Sequence, residues 1–138
     1  MEVTVQFLAG SKFCASTREH RLISDQPFEN GGSNAGMTPP ELFLASFGTC
    51  AGFYAAQYLK ARSLSTDGLE ITVKGEKALR PARIKSVRIE IAAPSAAGRH
   101  EDGLLQTVRA CLIHNTLVHS PVIETVVNEV KAMEAEAS

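Results

Sequence analysis

An α+β fold is predicted by three observations: alternating, β-branched runs flank the first and middle parts of the chain, one long uncharged stretch has helical periodicity, and a second helical stretch also carries a cysteine. Residues 2–8 (EVTVQFL) alternate polar and apolar side chains, as a half-buried strand does, and Gly10-Ser11 supplies a turn. Lys12 to Thr17 reads as a second strand and His20 to Ser24 as a short third. Asp25-Gln26-Pro27 and the run Gly31 to Gly36 then break regular structure, giving a loop expected to act as a hinge or as a wall facing a substrate.

Thr38-Pro39-Pro40-Glu41 opens a helix. Thr38 can cap it, the prolines suit a first turn whose amide hydrogens lack partners, and Glu41 stands at capping-box spacing. The helix is expected to reach about Arg62. Phe43, Phe47, Cys50, Tyr54, Tyr58 and Ala61 recur along it at intervals of three and four, and Gly48, Gly52 and Ala56 form an adjacent stripe of small residues. Glycines that weaken a helix are tolerated where another backbone must come close.

Residues 68–78 and 84–92 alternate strongly around Pro81 and read as a hairpin. Beyond Pro94 and Gly98, Leu104, Val108, Cys111 and Asn115 share one face of a helix from about 102 to 118, which Pro121 ends. Val122 to Val130 returns to strand alternation before a polar tail rich in alanine and glutamate. The long helix is too apolar all round for one sheet and one neighbouring helix to cover, so the small-residue stripe is expected to be buried against a second copy of the chain in a homodimer.

The chain of 138 residues is read as a single domain spanning 1–138, with 44 % hydrophobic residues, 21 % charged residues and a net charge of −1. That balance offers no basic excess for phosphates, so nucleic acid is not an expected partner. The start MEVTVQFLAG lacks the basic, apolar character of a secretion signal, and a cytoplasmic location is expected. The uncharged run from Leu42 to Leu59 approaches membrane-spanning length, but Ser46, Gly48, Thr49, Gly52 and Gln57 interrupt it, and it reads as a buried core helix rather than a membrane span. Three cysteines are an odd number, which argues against a structural disulfide framework and leaves redox chemistry as the reason for any pairing.

Cys50 lies within FGTCAGFY, where a thiol is either a small apolar filler or a reactive group kept from water. Cys50 and Cys111 are each expected at mid-helix on an apolar face; a disulfide between them requires Cα atoms about 4.4–6.8 Å apart. Glu41, nine residues before Cys50, is the only acid nearby and is a favourable charge at a helix start. Cys111 and His114 have C-x-x-H spacing to which Cys14, Cys50 or His119 would have to add ligands; no second close pair exists, and no metal is expected. Cys14 reads as structural, His114 and Asn115 as satisfied helix side chains or pocket lining, and Tyr54 and Tyr58 as packing residues.

Two separated segments in fixed order, GGSNAGMTPPELFLASFGTC at 31–50 and ACLIHNTL at 110–117, resemble the OsmC/Ohr family of osmotically inducible and organic hydroperoxide resistance proteins. The resemblance extends to the order of strands and helices over nearly the whole chain. It implies an OsmC-like intertwined homodimer, with antiparallel sheets around a long central helix and a second cysteine-bearing helix. It further implies a cofactor-free thiol peroxidase acting on small organic hydroperoxides, with Cys50 as the peroxide-reacting and Cys111 as the resolving cysteine, recycled by a dithiol reductant. The implied cycle passes through a sulfenic acid and an intramolecular disulfide. In well-studied peroxidases of the family an arginine and a glutamate assist the reactive cysteine. That glutamate corresponds to Pro40, so the resemblance leaves Glu41, one residue later, as the candidate catalytic acid, and although Lys12, Arg18 and Arg21 lie in the N-terminal region that supplies the arginine, none sits in a recognisable motif. The alternative reading is a non-catalytic or redox-sensing OsmC-like protein that binds a small apolar or thiol ligand.

Overall fold

A computed structural model of the chain describes residues 1–128 and shows a mixed α+β architecture. Three N-terminal strands, β1 (Thr4–Ala9), β2 (Lys12–Thr17) and β3 (His20–Ser24), form an antiparallel meander. Helix α1 (Pro39–Ala61) follows, then a hairpin of β4 (Glu70–Ala78) and β5 (Arg83–Ala92), and two short helices, α2 (Glu101–Arg109) and α3 (Leu112–Val118).

Helix α1 begins where the sequence signals place it. The Thr38 hydroxyl accepts from the Glu41 amide and the Glu41 carboxylate accepts from the Thr38 amide, so the capping box is complete. The helix lies on the inner face of the hairpin, where register pairs Ile71 with Ile91 and Val73 with Ile89. The small-residue stripe has a different neighbour from the one expected. A Cβ at Gly48 would stand 3.0 Å from the Val73 side chain and one at Gly52 3.4 Å from Ile71, so the chain's own β4, and not a second copy, occupies that stripe. Strand side chains fit against a helix only where the helix surface is flat, which is the use of two glycines that otherwise weaken it.

The core is the wedge between this helix–hairpin pair and α2. Ala51, Ala55, Tyr58 and Leu59 of α1 meet Leu104 and Val108 of α2, with Ala96 below and Ile71, Ile89 and Ile91 closing the side. Leu59 is wholly enclosed, which is worth roughly 1.5–3 kcal/mol relative to exposure. The outer face of the hairpin is polar, with Lys74 and Arg88 both paired to Glu90 at 3.1 and 3.0 Å.

The single helix expected over 102–118 is two helices. Ala110 closes α2, and Cys111 takes an extended conformation (φ −67°, ψ 152°) as the N-cap of α3. The expected strand over 122–130 also differs: residues 122–128 run without strand pairing, while 129 and 130 lie outside the described residues. Their apolar side chains lie open, Val122 and Val127 at 98 % exposure.

Asp25 organises the loop between β3 and α1. Its carboxylate is buried and accepts from the Ser11 hydroxyl (2.6 Å) and from the amides of Gln26 (2.8 Å), Ser33 (3.0 Å) and Ala35 (3.1 Å). The Asp25 amide in turn donates to the Met37 carbonyl, drawing the start of α1 to the end of β3. The Ser11 hydroxyl, followed by the three amides, outweighs burial and holds the carboxyl at about 2, below its ordinary 3.8. Because the folded value is depressed, the stabilisation is present above the ordinary carboxylate value and is lost as pH falls through the folded one. Asp25→Asn is therefore expected to lower the melting temperature at neutral pH and to flatten its decline as acid is added from 3.8 towards 2. Circular dichroism melts of both proteins across that range check this, and parallel acid limbs would contradict it.

Candidate functional site

The packing of α1 against α2 and α3 brings two of the three thiols together. Cys50, midway along α1, is half-buried; Cys111, at the head of α3, is fully buried. They are neighbours: Cys50 is among the groups that act on the Cys111 thiol. Burial pushes Cys111 up from its ordinary thiol value, the adjacent Cys50 adds to that, and the amides of His114 and Ile113 pull the other way. Cys14 is on the N-terminal sheet, in register with Gln6 and Ile23, and belongs to neither helix.

The sulfur of Cys111 sits where a serine or aspartate oxygen commonly stands. It accepts the His114 amide at 3.4 Å, and the Asn115 side chain donates to the Ala110 carbonyl at 3.3 Å, so one short segment caps both the end of α2 and the start of α3. These bonds hold Cys111 at the break between two helices rather than mid-helix.

Glu41 is at the first turn of α1, with its Oε1 accepting from both the amide (2.8 Å) and the hydroxyl (2.9 Å) of Thr38. Those bonds hold its carboxyl below the ordinary value. At 1.5 Å per residue, nine residues put it about 13 Å along the helix axis from Cys50.

A cavity of about 600 Å³ lies between α1, β5 and the α2–α3 segment. Phe43 and Phe47 of α1 and Ile89 and Ile91 of β5 give it apolar walls, while Arg109 and His114 bring polar groups to it. A volume of this order suits a small organic molecule. Neither thiol lines it. Phe47 and His114, each three residues from a cysteine, meet edge to face at 6.1 Å and form a wall on that side. The Nδ1 atom of His114 is enclosed and has no hydrogen-bond partner among the described residues. Of the two readings of His114, a satisfied helix side chain or pocket lining, the ring takes the second.

Arg109 was not singled out in the sequence; its only local signal is its place two residues before Cys111. Among the described residues, no group of three or more His, Cys, Asp or Glu side chains converges as a metal site would require, and no helix is long and apolar enough to cross a membrane.

Comparison with known proteins matches both the fold and the two segments. A family model described as OsmC-like protein matches residues 31–126, which include Glu41, Cys50, Cys111 and His114. No curated protein matches the sequence. Among solved structures, a candidate osmotic stress induced and detoxification response protein from Psychrobacter arcticus superposes with a TM-score of 0.75 at 18 % identity, covering 83 % of this chain and 85 % of the other. An OsmC like protein from Mycoplasma pneumoniae gives 0.72 at 18 % identity, with 86 % and 87 % covered. An organic hydroperoxide resistance protein OsmC from Legionella pneumophila gives 0.59 at 15 % identity, with 85 % and 89 % covered. At these identities the structural likeness speaks for the fold, and the family match covers more than two thirds of the sequence: the chain belongs to the OsmC-like protein family.

Proposed function

We propose that this chain is a thiol-dependent peroxidase that reduces small organic hydroperoxides through Cys50 and Cys111, working as a homodimer. The observation that carries the reading is the pairing of a half-exposed thiol with a fully buried one across the contact of α1 with α3. A peroxide must reach the first sulfur; the second needs only to reach the first. Cys50 is therefore the attacking group and Cys111 the resolving one.

In this scheme the Cys50 sulfur attacks the terminal oxygen of ROOH. The O–O bond breaks, RO⁻ leaves and takes a proton to become ROH, and Cys50 becomes a sulfenic acid. The Cys111 sulfur then attacks the Cys50 sulfur, expelling hydroxide that leaves as water with the Cys111 proton, and a disulfide forms. An external dithiol restores both thiols through two exchanges and is itself oxidised to a disulfide. The apolar walls supplied by Phe43, Phe47, Ile89 and Ile91 favour an organic peroxide over hydrogen peroxide. Glu41 enters as the acid that holds the first turn of the helix bearing Cys50; direct contact with peroxide would require it to leave Thr38. Three free cysteines suit a reducing compartment such as the cytoplasm.

Dimerisation is supported by apolar surface that has no cover among the described residues. In the N-terminal sheet the register puts Val5, Phe7, Phe13, Ala15 and Leu22 on one face, and Val5, Phe7, Phe13 and Leu22 of this set are each at least 40 % exposed. A sheet with one apolar face needs a second layer, and Phe53 on α1 and Val122, Ile123, Val126 and Val127 are further exposed apolar side chains.

A second reading, a binding protein for a small apolar ligand, is favoured by one observation: neither thiol lines the cavity between α1, β5 and the α2–α3 segment. Peroxide consumption separates the two. With cumene hydroperoxide and excess dithiol, wild type is expected to turn over and Cys50→Ser to fall to background, whereas Cys111→Ser should slow and accumulate sulfinic acid at Cys50. Equal consumption by wild type and Cys50→Ser would exclude the peroxidase and leave the binding protein. Light scattering is expected to give the mass of two chains, and a monomer at micromolar concentration would contradict the homodimer.

A further inference from the structure

The site as described lacks a group to move the proton that peroxide reduction requires. Thiolate formation releases a proton from Cys50, and the departing alkoxide needs one. Glu41 is engaged by Thr38 at the far end of α1's first half, and the buried Cys111 thiol is reserved for the second step.

We infer that His114 is the proton-carrying residue of this site, its orphaned ring nitrogen contacting the peroxide. Four observations converge on it. Its Nδ1 is enclosed yet unbonded among the described residues, an arrangement that is costly unless something engages it. The ring lines the apolar cavity suited to an organic substrate. It packs edge to face on Phe47, one turn before Cys50. Its own amide is bonded to the Cys111 sulfur, so the ring's backbone is tied to the thiol pair.

The charged and titratable groups around His114 are Arg109 of α2 and Lys85 of β5 within the same cavity, with Cys50 of α1 and Cys111 of its own cap. Neutral imidazole offers one acceptor and one donor nitrogen. It takes the Cys50 proton as the sulfur attacks, and the resulting imidazolium returns that proton to the alkoxide as the O–O bond breaks. Cys50–SH and ROOH become Cys50–SOH and ROH, and His114 ends as it began. Arg109 and Lys85 then serve the alkoxide's developing negative charge.

The inference rests on the peroxidase reading, and one experiment keeps the two apart. Rate constants for Cys50 oxidation by cumene hydroperoxide are measured from pH 5 to 9 by stopped flow, in wild type, His114→Ala and His114→Gln. Both variants are expected to lose about 100-fold near neutral pH, the scale of a general acid–base group, and to lose one ionisation from the pH profile. Free imidazole should restore part of the rate to His114→Ala. Wild-type rates with an unchanged pH profile in His114→Gln would overturn the role of His114 while leaving the peroxidase intact. A wild type that fails to react at any pH would overturn both.

Discussion

The interruption between α2 and α3 at Cys111 is the constraint on which the site depends. A continuous helix would carry residue 111 on one side of a rigid rod and would leave no free amide at that point. The break instead presents the sulfur as a cap, with the His114 amide bonded to it, and leaves the Asn115 side chain to satisfy the end of the preceding helix. Packing against α1 then supplies the second sulfur. The thiol pair is thus a consequence of where two short helices end and begin.

Much of this was legible in the sequence where local chemistry decides the structure. Thr38, the two prolines and Glu41 marked the start of α1, and the alternation in β4 and β5 marked the hairpin, because caps and period-2 patterns act through residues a few positions apart. The break at Cys111 was not legible: neither glycine nor proline marks it, and a thiol in the capping position leaves the 3.6-residue periodicity of Leu104, Val108 and Cys111 undisturbed. Asp25 was missed for a related reason. Its partners at Ser11, Ser33 and Ala35 are far apart in sequence, so nothing local distinguishes it from a surface turn residue.

The glycines of α1 show the same limit from another side. Their spacing correctly announced a close approach, but spacing alone does not name the partner, and β4 of the same chain fills the place reserved for a second copy. The demand for a second copy rests on other residues: the apolar face of the N-terminal sheet and the open side chains of residues 122–127. A hydrophobic surface of this extent is costly in water, and symmetric association is the commonest way to cover it. Asp25 matters to this arrangement because it fastens the uncovered sheet to the start of the helix that carries Cys50.

The central claim is that two helix contacts make a reactive and a resolving thiol out of Cys50 and Cys111. Its most direct test is to treat fully reduced protein with one equivalent of cumene hydroperoxide and map the products by intact and peptide mass spectrometry. A rapid, near-quantitative Cys50–Cys111 disulfide within each chain, with Cys14 still a thiol, is the predicted result. Oxidation scattered over the three cysteines, or a Cys50 that stays reduced while peroxide persists, would contradict it.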